Sequence, residues 1–364
     1  MYCPKCGKEN PEDAGVCSGC GSPLPGPSAP AEQPITKISG LAIAAFVLGV
    51  LSPFTCAITA IPAIVLGIIS IVRIDKSGGR LTGANFGVLG IVVPVIAILM
   101  LGILLPALAR VRQIDLRTTC GSNLAGIGKA MTIYANDYQD QFPRAGGRNS
   151  LWGGPGTWNA RDPFRAYDLH TDGSGGYATI SSCFYLLVKY KGVTPKSFVC
   201  KGDRGTKEFK PDKYLRDKGL VDFWDFGPEP WKHCSYAYHM PFSLYALTTS
   251  SEPGMAVAAD RNPWIASPAA SAKTMAQFNP TGTNIDQQKY GNSISHQEDG
   301  QNVLFMDGHV YFEKRSYCAI KDDNIYTFWD GGDIRRGGAP VVGSSQPMDR
   351  KDSFLVHDPP PGAR

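Results

Sequence analysis

Apolar residues in this chain gather into two uninterrupted blocks instead of spreading evenly along it. Ile38–Val72 and Leu81–Ala109 contain no Asp, Glu, Lys or Arg. A helix needs roughly 20 apolar residues to cross a hydrocarbon core about 30 Å thick. The second block is long enough for one crossing. The first is too long for one and just long enough for a tight pair, turning at Ser52-Pro53-Phe54-Thr55-Cys56. The pattern predicts helices near 38–53, 57–73 and 84–108. Beyond the second block, Ile114, Leu124, Ile127, Met131 and Tyr134 recur at roughly helical spacing, so Arg110–Asp140 reads as that helix continuing out of the membrane. From Phe142 to Trp329 the pattern changes to short apolar runs between turn residues, among them Phe184–Val188, Met255–Ala259 and Asn302–Met306. Such runs favour strands. Val303–Met306, Asp307-Gly308 and His309–Phe312 read as strand, tight turn and return strand.

Composition adds boundaries. Over 364 residues the apolar fraction is 43%, an average that hides an apolar block inside a polar remainder rich in Gly and Pro. A net charge of +4 with no Lys/Arg run argues against a nucleic-acid partner. Met1–Gly21 lacks the basic start and apolar core of a signal peptide. Residues 25–37 form a Pro-rich linker, and the Gly/Pro/Ser-rich stretch 330–364 reads as a disordered tail.

The candidate chemistry is concentrated at the N-terminus. Cys3-Pro-Lys-Cys6 and Cys17-Ser-Gly-Cys20 each end in a cysteine followed by glycine. Thiolate pairs at that spacing bind one tetrahedral metal ion, and four cysteines leave no open position, so the expected cofactor is a structural Zn2+. A head this short cannot bury a core, and the metal must supply its folding energy. The alternatives are two disulfides or free thiols. The head, residues 1–24, resembles bacterial zinc-ribbon domains that precede membrane helices. Thiolate zinc sites imply a reducing compartment and a cytoplasmic N-terminus. The loop Arg73–Arg80 carries three basic residues and one acid, and short basic loops stay cytoplasmic. Three crossings then place the C-terminal part outside, whereas Arg110, Arg112 and Arg117 favour an inside location for that end.

Two further resemblances follow from longer patterns. The Ala/Gly-rich blocks around RIDKSGG in residues 38–109 resemble a DUF4190-type membrane domain, in which Gly40, Gly49, Gly67, Gly87 and Gly90 would let helices approach closely. LLPALARVRQ, then Cys120, Asn123, Leu124, Ile127, Gly128, Tyr134, Asp137, Tyr138, Phe142 and Pro143, resemble the start of pilin-like proteins of planctomycete-type bacteria. Ser197–Cys200, Ala259-Asp260-Arg261-Asn262-Pro263 and Asn292–Val310 match later motifs of that family. The last carries its H-x9-DG signature, with ten residues between His296 and Asp307. The FTLIE stretch of secreted pilins should fall at Asn85–Leu89, where the filament-docking glutamate is replaced by Leu89. The resemblance therefore implies a type II secretion pseudopilin-like domain, 110–329, on a permanent anchor.

The expected fold is an α+β membrane protein: a zinc ribbon, transmembrane helices, and a long stem helix packed on an antiparallel sheet. The expected function is structural or interaction work at the cell envelope, without enzymatic activity. Its partners would be the lipid bilayer and envelope proteins, with no small-molecule substrate identified. The location would be a multi-pass bacterial inner membrane, with the C-terminal domain periplasmic. Two other classes remain. A metal-dependent envelope hydrolase would draw on Asp260, His296, Asp307 and His309 as an ion site, although no HExxH, GxSxG or phosphate loop accompanies them. In the other reading of these residues, Asp307 is turn chemistry and His296 anchors the loop before the hairpin. A zinc-ribbon membrane sensor would need a cytoplasmic ligand for the head. Of Cys120, Cys183, Cys200, Cys234 and Cys318, an odd set, Cys200 with Cys234 is the pair to test first. Trp152, Trp158, Trp224, Trp231, Tyr236 and Tyr238 could line a groove, with core packing the alternative. His170, His233 and His239 are isolated and read as surface or hydrogen-bonded residues.

Overall fold

A computed structural model describes residues 1–25, 37–55, 58–153, 156–214 and 218–362. Most of the expected linker, and Cys56 of the expected turn, lie outside the described residues. The chain divides into two compact units, Met1–Ala109 and Arg110–Arg364.

In the first unit, β1 (Lys37–Ile38) pairs in parallel with β2 (Leu81–Thr82) beside helices α1 (Gly40–Leu51), α2 (Ala60–Lys76) and the first part of α3 (Ala84–Asp137). Packing here is inverted relative to a soluble core. Ala42, Ala45, Gly49, Ala60, Ala63, Gly67 and Ser70 are buried, while Val47, Ile61, Val65 and Ile68 face outward. A Cβ on Gly90 would sit 2.8 Å from the Ala45 carbonyl carbon, and one on Gly67 would sit 2.9 Å from the Gly87 oxygen. The backbones therefore touch where side chains would normally intervene. Helices occupy all three expected positions. However, α1 has 12 residues, and α2 has 17 that include Arg73, Asp75 and Lys76. Among the described residues only α3 is long and apolar enough to cross a membrane, with mean hydropathy 3.1 over its 18-residue window.

The second unit builds on the rest of α3. Cys120, Leu124, Ile127, Met131 and Tyr134 form a buried stripe, whereas Ile114, one turn and a half earlier, is exposed. The stripe lies on a five-stranded sheet ordered β8-β7-β6-β5-β9. Its strands are β5 (Tyr236–His239), β6 (Ala256–Asp260), β7 (Gln301–Phe305), β8 (Val310–Glu313) and β9 (Leu355–Val356), and every pairing is antiparallel. Helix and sheet come close because Gly128 has no side chain: a Cβ there would lie 2.7 Å from Leu304 Cδ1. β7 and β8 form the hairpin expected at Asp307-Gly308, with Val303 opposite Tyr311 and Gly308 at φ 87°.

Smaller elements complete this unit: the parallel pair β3 (Leu151–Trp152) and β4 (Tyr177–Ala178), and helices α4 (Pro163–Tyr167), α5 (Ile180–Lys191) and α6 (Ile285–Lys289). α5 begins where the Thr179 hydroxyl accepts the Ser182 N–H at 3.0 Å and ends at Gly192 in a left-handed conformation. Ile180–Val188 is buried throughout, so the short apolar run at Phe184–Val188 is helical and not a strand. Periodicity cannot separate a buried strand from a buried helix over so few residues.

The expectation of a disordered tail is corrected. Leu355 and Val356 are fully buried as edge strand β9 against β5. The Asn262 side-chain amide donates to the Leu355 carbonyl at 2.8 Å, and the Leu355 N–H donates to Ile325. The polar, Pro-rich flanks hide a strand of two residues.

Candidate functional site

The N-terminal head is a doubled turn. In the first half, the Cys3 N–H donates to Lys8 and the Gly7 N–H to Cys3, both at 2.9 Å. In the second half, the Cys17 N–H donates to Ser22 and the Gly21 N–H to Cys17 at the same distance. Gly7 and Gly21 share φ 71°, the left-handed value that closes each knuckle. The four sulfurs lie within 4.8 Å of one another. Cys3 Sγ is 3.7 Å from Cys20 Sγ, and Cys6 Sγ is 3.5 Å from Cys17 Sγ. A zinc tetrahedron with Zn–S near 2.3 Å has edges of about 3.8 Å, so the thiols already stand at ligand spacing.

The four thiols differ in their surroundings: although a Lys8 backbone hydrogen bond lowers Cys6, the neighbouring Cys20 and Cys17 thiols leave it pushed up to about 12, whereas Cys17 and Cys20 are lowered. The Gly19 N–H points at Cys17 Sγ from 3.3 Å and leads the groups that pull this thiol down to about 6. The Ser22 hydroxyl, 3.4 Å from Cys20 Sγ, leads the lowering at Cys20. The residues fit a structural Zn2+ held by Cys3, Cys6, Cys17 and Cys20, and no position is left for substrate. Asn10 escaped the sequence reading. Its side chain is buried, accepts from the Ser18 N–H at 2.9 Å and donates to the Lys8 carbonyl at 2.9 Å, tying the knuckles together. The signal was the Asn-Pro pair, which marks a turn but not a bridge.

The four residues of the proposed exterior ion site separate into two pairs. The Asp307 and His309 side chains pair with each other, exposed on the β7–β8 turn, where Asp307 also accepts the His309 N–H at 3.1 Å. This is turn chemistry. Asp260, at the end of β6, and His296, in the turn Ile294–His296, are buried together, with Oδ2 and Nε2 3.2 Å apart. Asn302 holds both: its backbone N–H donates to Asp260 Oδ2 at 2.7 Å, and its side-chain amide lies 3.2 Å from Asp260 Oδ2 and from His296 Nε2.

The buried pair has companions that the sequence analysis did not assign to it. Cys120 on α3 and Cys200 are joined as a disulfide, and Cys200 Sγ lies 3.8 Å from His296 Nε2. The pair to test first, Cys200 with Cys234, is therefore not the one that forms. The Cys234 thiol turns to the Tyr236 carbonyl and is pushed up to about 12 by burial. Cys183, Cys234 and Cys318 are free. Beside the cluster, Arg261 pairs with Asp203 at 2.7 Å and donates to the Cys234 carbonyl, so its charge is committed there.

The aromatic candidates are largely core. Trp152, Trp224, Tyr236 and Tyr238 are buried, and Trp158 packs against Phe209, Tyr214 and Phe223. His233 and His239 bond the carbonyls of Lys207 and Tyr245, while His170 is exposed.

Neither curated proteins nor solved structures give a match to the chain. Residues 2–24 match the family model of the zinc-ribbon domain, and the four thiols above are what that match requires.

Proposed function

We propose that the chain is a membrane-anchored, pseudopilin-like protein of the cell envelope, with a structural or interaction role and no catalytic one. The observation that carries this reading is the division of labour along α3. Its apolar window is only 17% buried, as expected of a surface that lipid covers, while its later turns bury a stripe on an antiparallel sheet. The small-inside, large-outside packing of α1, α2 and α3 supports a DUF4190-like anchor of more than one crossing. Stem helix, sheet and closing hairpin support the pilin-like reading.

Cysteine usage supports a topology. A four-thiolate zinc site belongs in a reducing compartment and a disulfide in an oxidising one. The head is therefore cytoplasmic and the Arg110–Arg364 unit periplasmic. The separation of Asp260 and His296 from Asp307 and His309 counts against a hydrolase built on all four. Two cavities near Arg261 and Trp224 hold about 10 Å3 each, room for one water at most.

Labelling single cysteines on intact cells with a membrane-impermeant maleimide tests the topology. A cysteine at exposed Leu244 should react from outside, and one at exposed Glu12 only after lysis. Protection of the Leu244 position in intact cells would overturn the periplasmic assignment.

A further inference from the structure

The Cys120–Cys200 bond closes inside a set of metal donors. Cys120, Cys200, Asp260 and His296 each offer a ligand atom, the four atoms lie within 4.8 Å of one another, and all four residues are buried. His296 Nε2 stands 3.2 Å from Asp260 Oδ2 and 3.8 Å from Cys200 Sγ. Those spacings are close to the edges of a tetrahedral zinc site with mixed sulfur, nitrogen and oxygen ligands, roughly 3.3–3.8 Å. The head of the same chain spaces its own ligands at 3.5 and 3.7 Å.

A second observation concerns charge. Asp260 is fully buried, and its Oδ1 has no hydrogen-bond partner. A buried carboxylate with a free oxygen is costly unless a cation faces it. Arg261, the next residue along the chain, is already paired with Asp203. The Asn302 side-chain amide lies 3.2 Å from His296 Nε2 and from Asp260 Oδ2, so that ring nitrogen and that carboxylate face the same point.

We propose that in the dithiol state Cys120, Cys200, Asp260 and His296 bind one Zn2+, which leaves when the disulfide closes. Every newly made chain passes through the dithiol state. Binding releases both thiol protons to solvent and gives two thiolates, one imidazole and one carboxylate, a closed structural set. Closure needs a disulfide oxidant. One Cys thiolate attacks the oxidant's sulfur and expels one of its thiols. The second Cys thiolate then attacks the mixed disulfide, forming the Cys120–Cys200 bond and expelling the other thiol. Two electrons pass to the oxidant, and the zinc loses two of its four ligands. The ion would thus hold α3, β6 and the loop at Cys200 in register until the covalent bond replaces it.

The test uses the full chain, made in a reducing host and purified anaerobically in detergent. Zinc content by elemental analysis should be about twice that of air-oxidised protein, and oxidation with glutathione disulfide should release the extra equivalent as free thiols disappear. Asp260→Asn and His296→Ala should each lower the reduced chain to the head's zinc alone while the oxidised variants keep their disulfide. Because those variants could misfold when reduced, a chain carrying Cys3→Ser and Cys17→Ser, with unit two untouched, is titrated with Co2+. A tetrahedral cobalt spectrum with thiolate charge-transfer bands, abolished by oxidation, is expected. Equal zinc in reduced and oxidised chains, or a colourless cobalt titration, would overturn the proposal.

Discussion

Asp225 shows how a single carboxyl sets the pH response of the C-terminal unit. It is buried, accepts from the Thr179 hydroxyl, and takes the Phe226 N–H at 2.8 Å. Burial, reinforced by the Asp358 carboxylate, pushes it up to about 7. Asp323 is pushed to about 8, again by burial first and then by Asp352, which burial itself raises to about 6. A group that holds its proton more tightly folded than unfolded contributes stability that is complete below its unfolded value. That stability is lost as pH rises through the folded value. With unfolded carboxyls near 3.9, the unit should be most stable in mild acid and weaken between roughly pH 4 and 8. Asp225→Asn keeps an acceptor for Phe226 and removes the charge. It should raise the melting temperature at pH 8, by on the order of 2–4 kcal/mol of stability, and flatten the slope. Scanning calorimetry across that range checks it, and a variant less stable at pH 8 would refute the assignment. Nothing in the sequence marked Asp225, because its partners Thr179 and Asp358 are remote along the chain. The zinc ligands were legible for the opposite reason: all four lie on two local turns whose spacing is the signal. Asp260 and His296 were legible only as members of a motif. Their grouping with Cys120 and Cys200 depends on strand register and helix placement, which local patterning does not carry.

Elements were readable where burial had one clear period. The α3 stripe and the β7–β8 hairpin announce themselves, one by its helical spacing and the other by Asp307-Gly308. α5 does not, since it is buried nearly all round and its apolar run is no longer than a strand. β9 fails as a signal altogether: three apolar residues, Phe354-Leu355-Val356, between Asp352-Ser353 and His357-Asp358-Pro359 do not make a pattern. Yet Leu355 is fully buried and takes two backbone bonds beyond its ladder, which makes it a strong test. Leu355→Ala should cost the C-terminal unit about 2–5 kcal/mol, read as a lowered urea midpoint with the slope unchanged. A cost below about 0.5 kcal/mol, the range of an exposed site, would restore the disordered-tail reading. In the first unit the equivalent test is Gly90→Val. Its side chain would be driven into the Ala45 backbone, and overpacking of this kind costs about 1–3 kcal/mol. Increased proteolysis of detergent-purified protein at the α1–α2 connection would report it.

At the scale of the whole molecule, three different forces fold three different parts. The head has only Cys3, Cys17 and Leu24 as its buried apolar cluster, far too little to fold without metal. α1 and α2 bury small residues and leave large ones outward, and the apolar window of α3 is only 17% buried, so in the proposed anchor their folding would rest on a lipid or detergent surround. The C-terminal unit has a conventional core and a disulfide that closes a loop across a separation of 80 residues, a crosslink expected to contribute on the order of 4 kcal/mol. Unfolding should therefore not be two-state. Chelation at neutral pH removes a metal whose binding supplies roughly 10–16 kcal/mol in comparable zinc modules. It should abolish hydrogen-exchange protection at Cys3, Gly7, Cys17 and Gly21, whose amides make the knuckle bonds. Amides of α5 and β7 should keep their protection in the same sample, because neither the zinc nor its ligands enter their hydrogen bonding. Loss of protection in both places would mean that the head's metal stabilises the entire chain. Protection unchanged at the knuckles would mean that the head folds without zinc, which its three-residue core makes physically untenable.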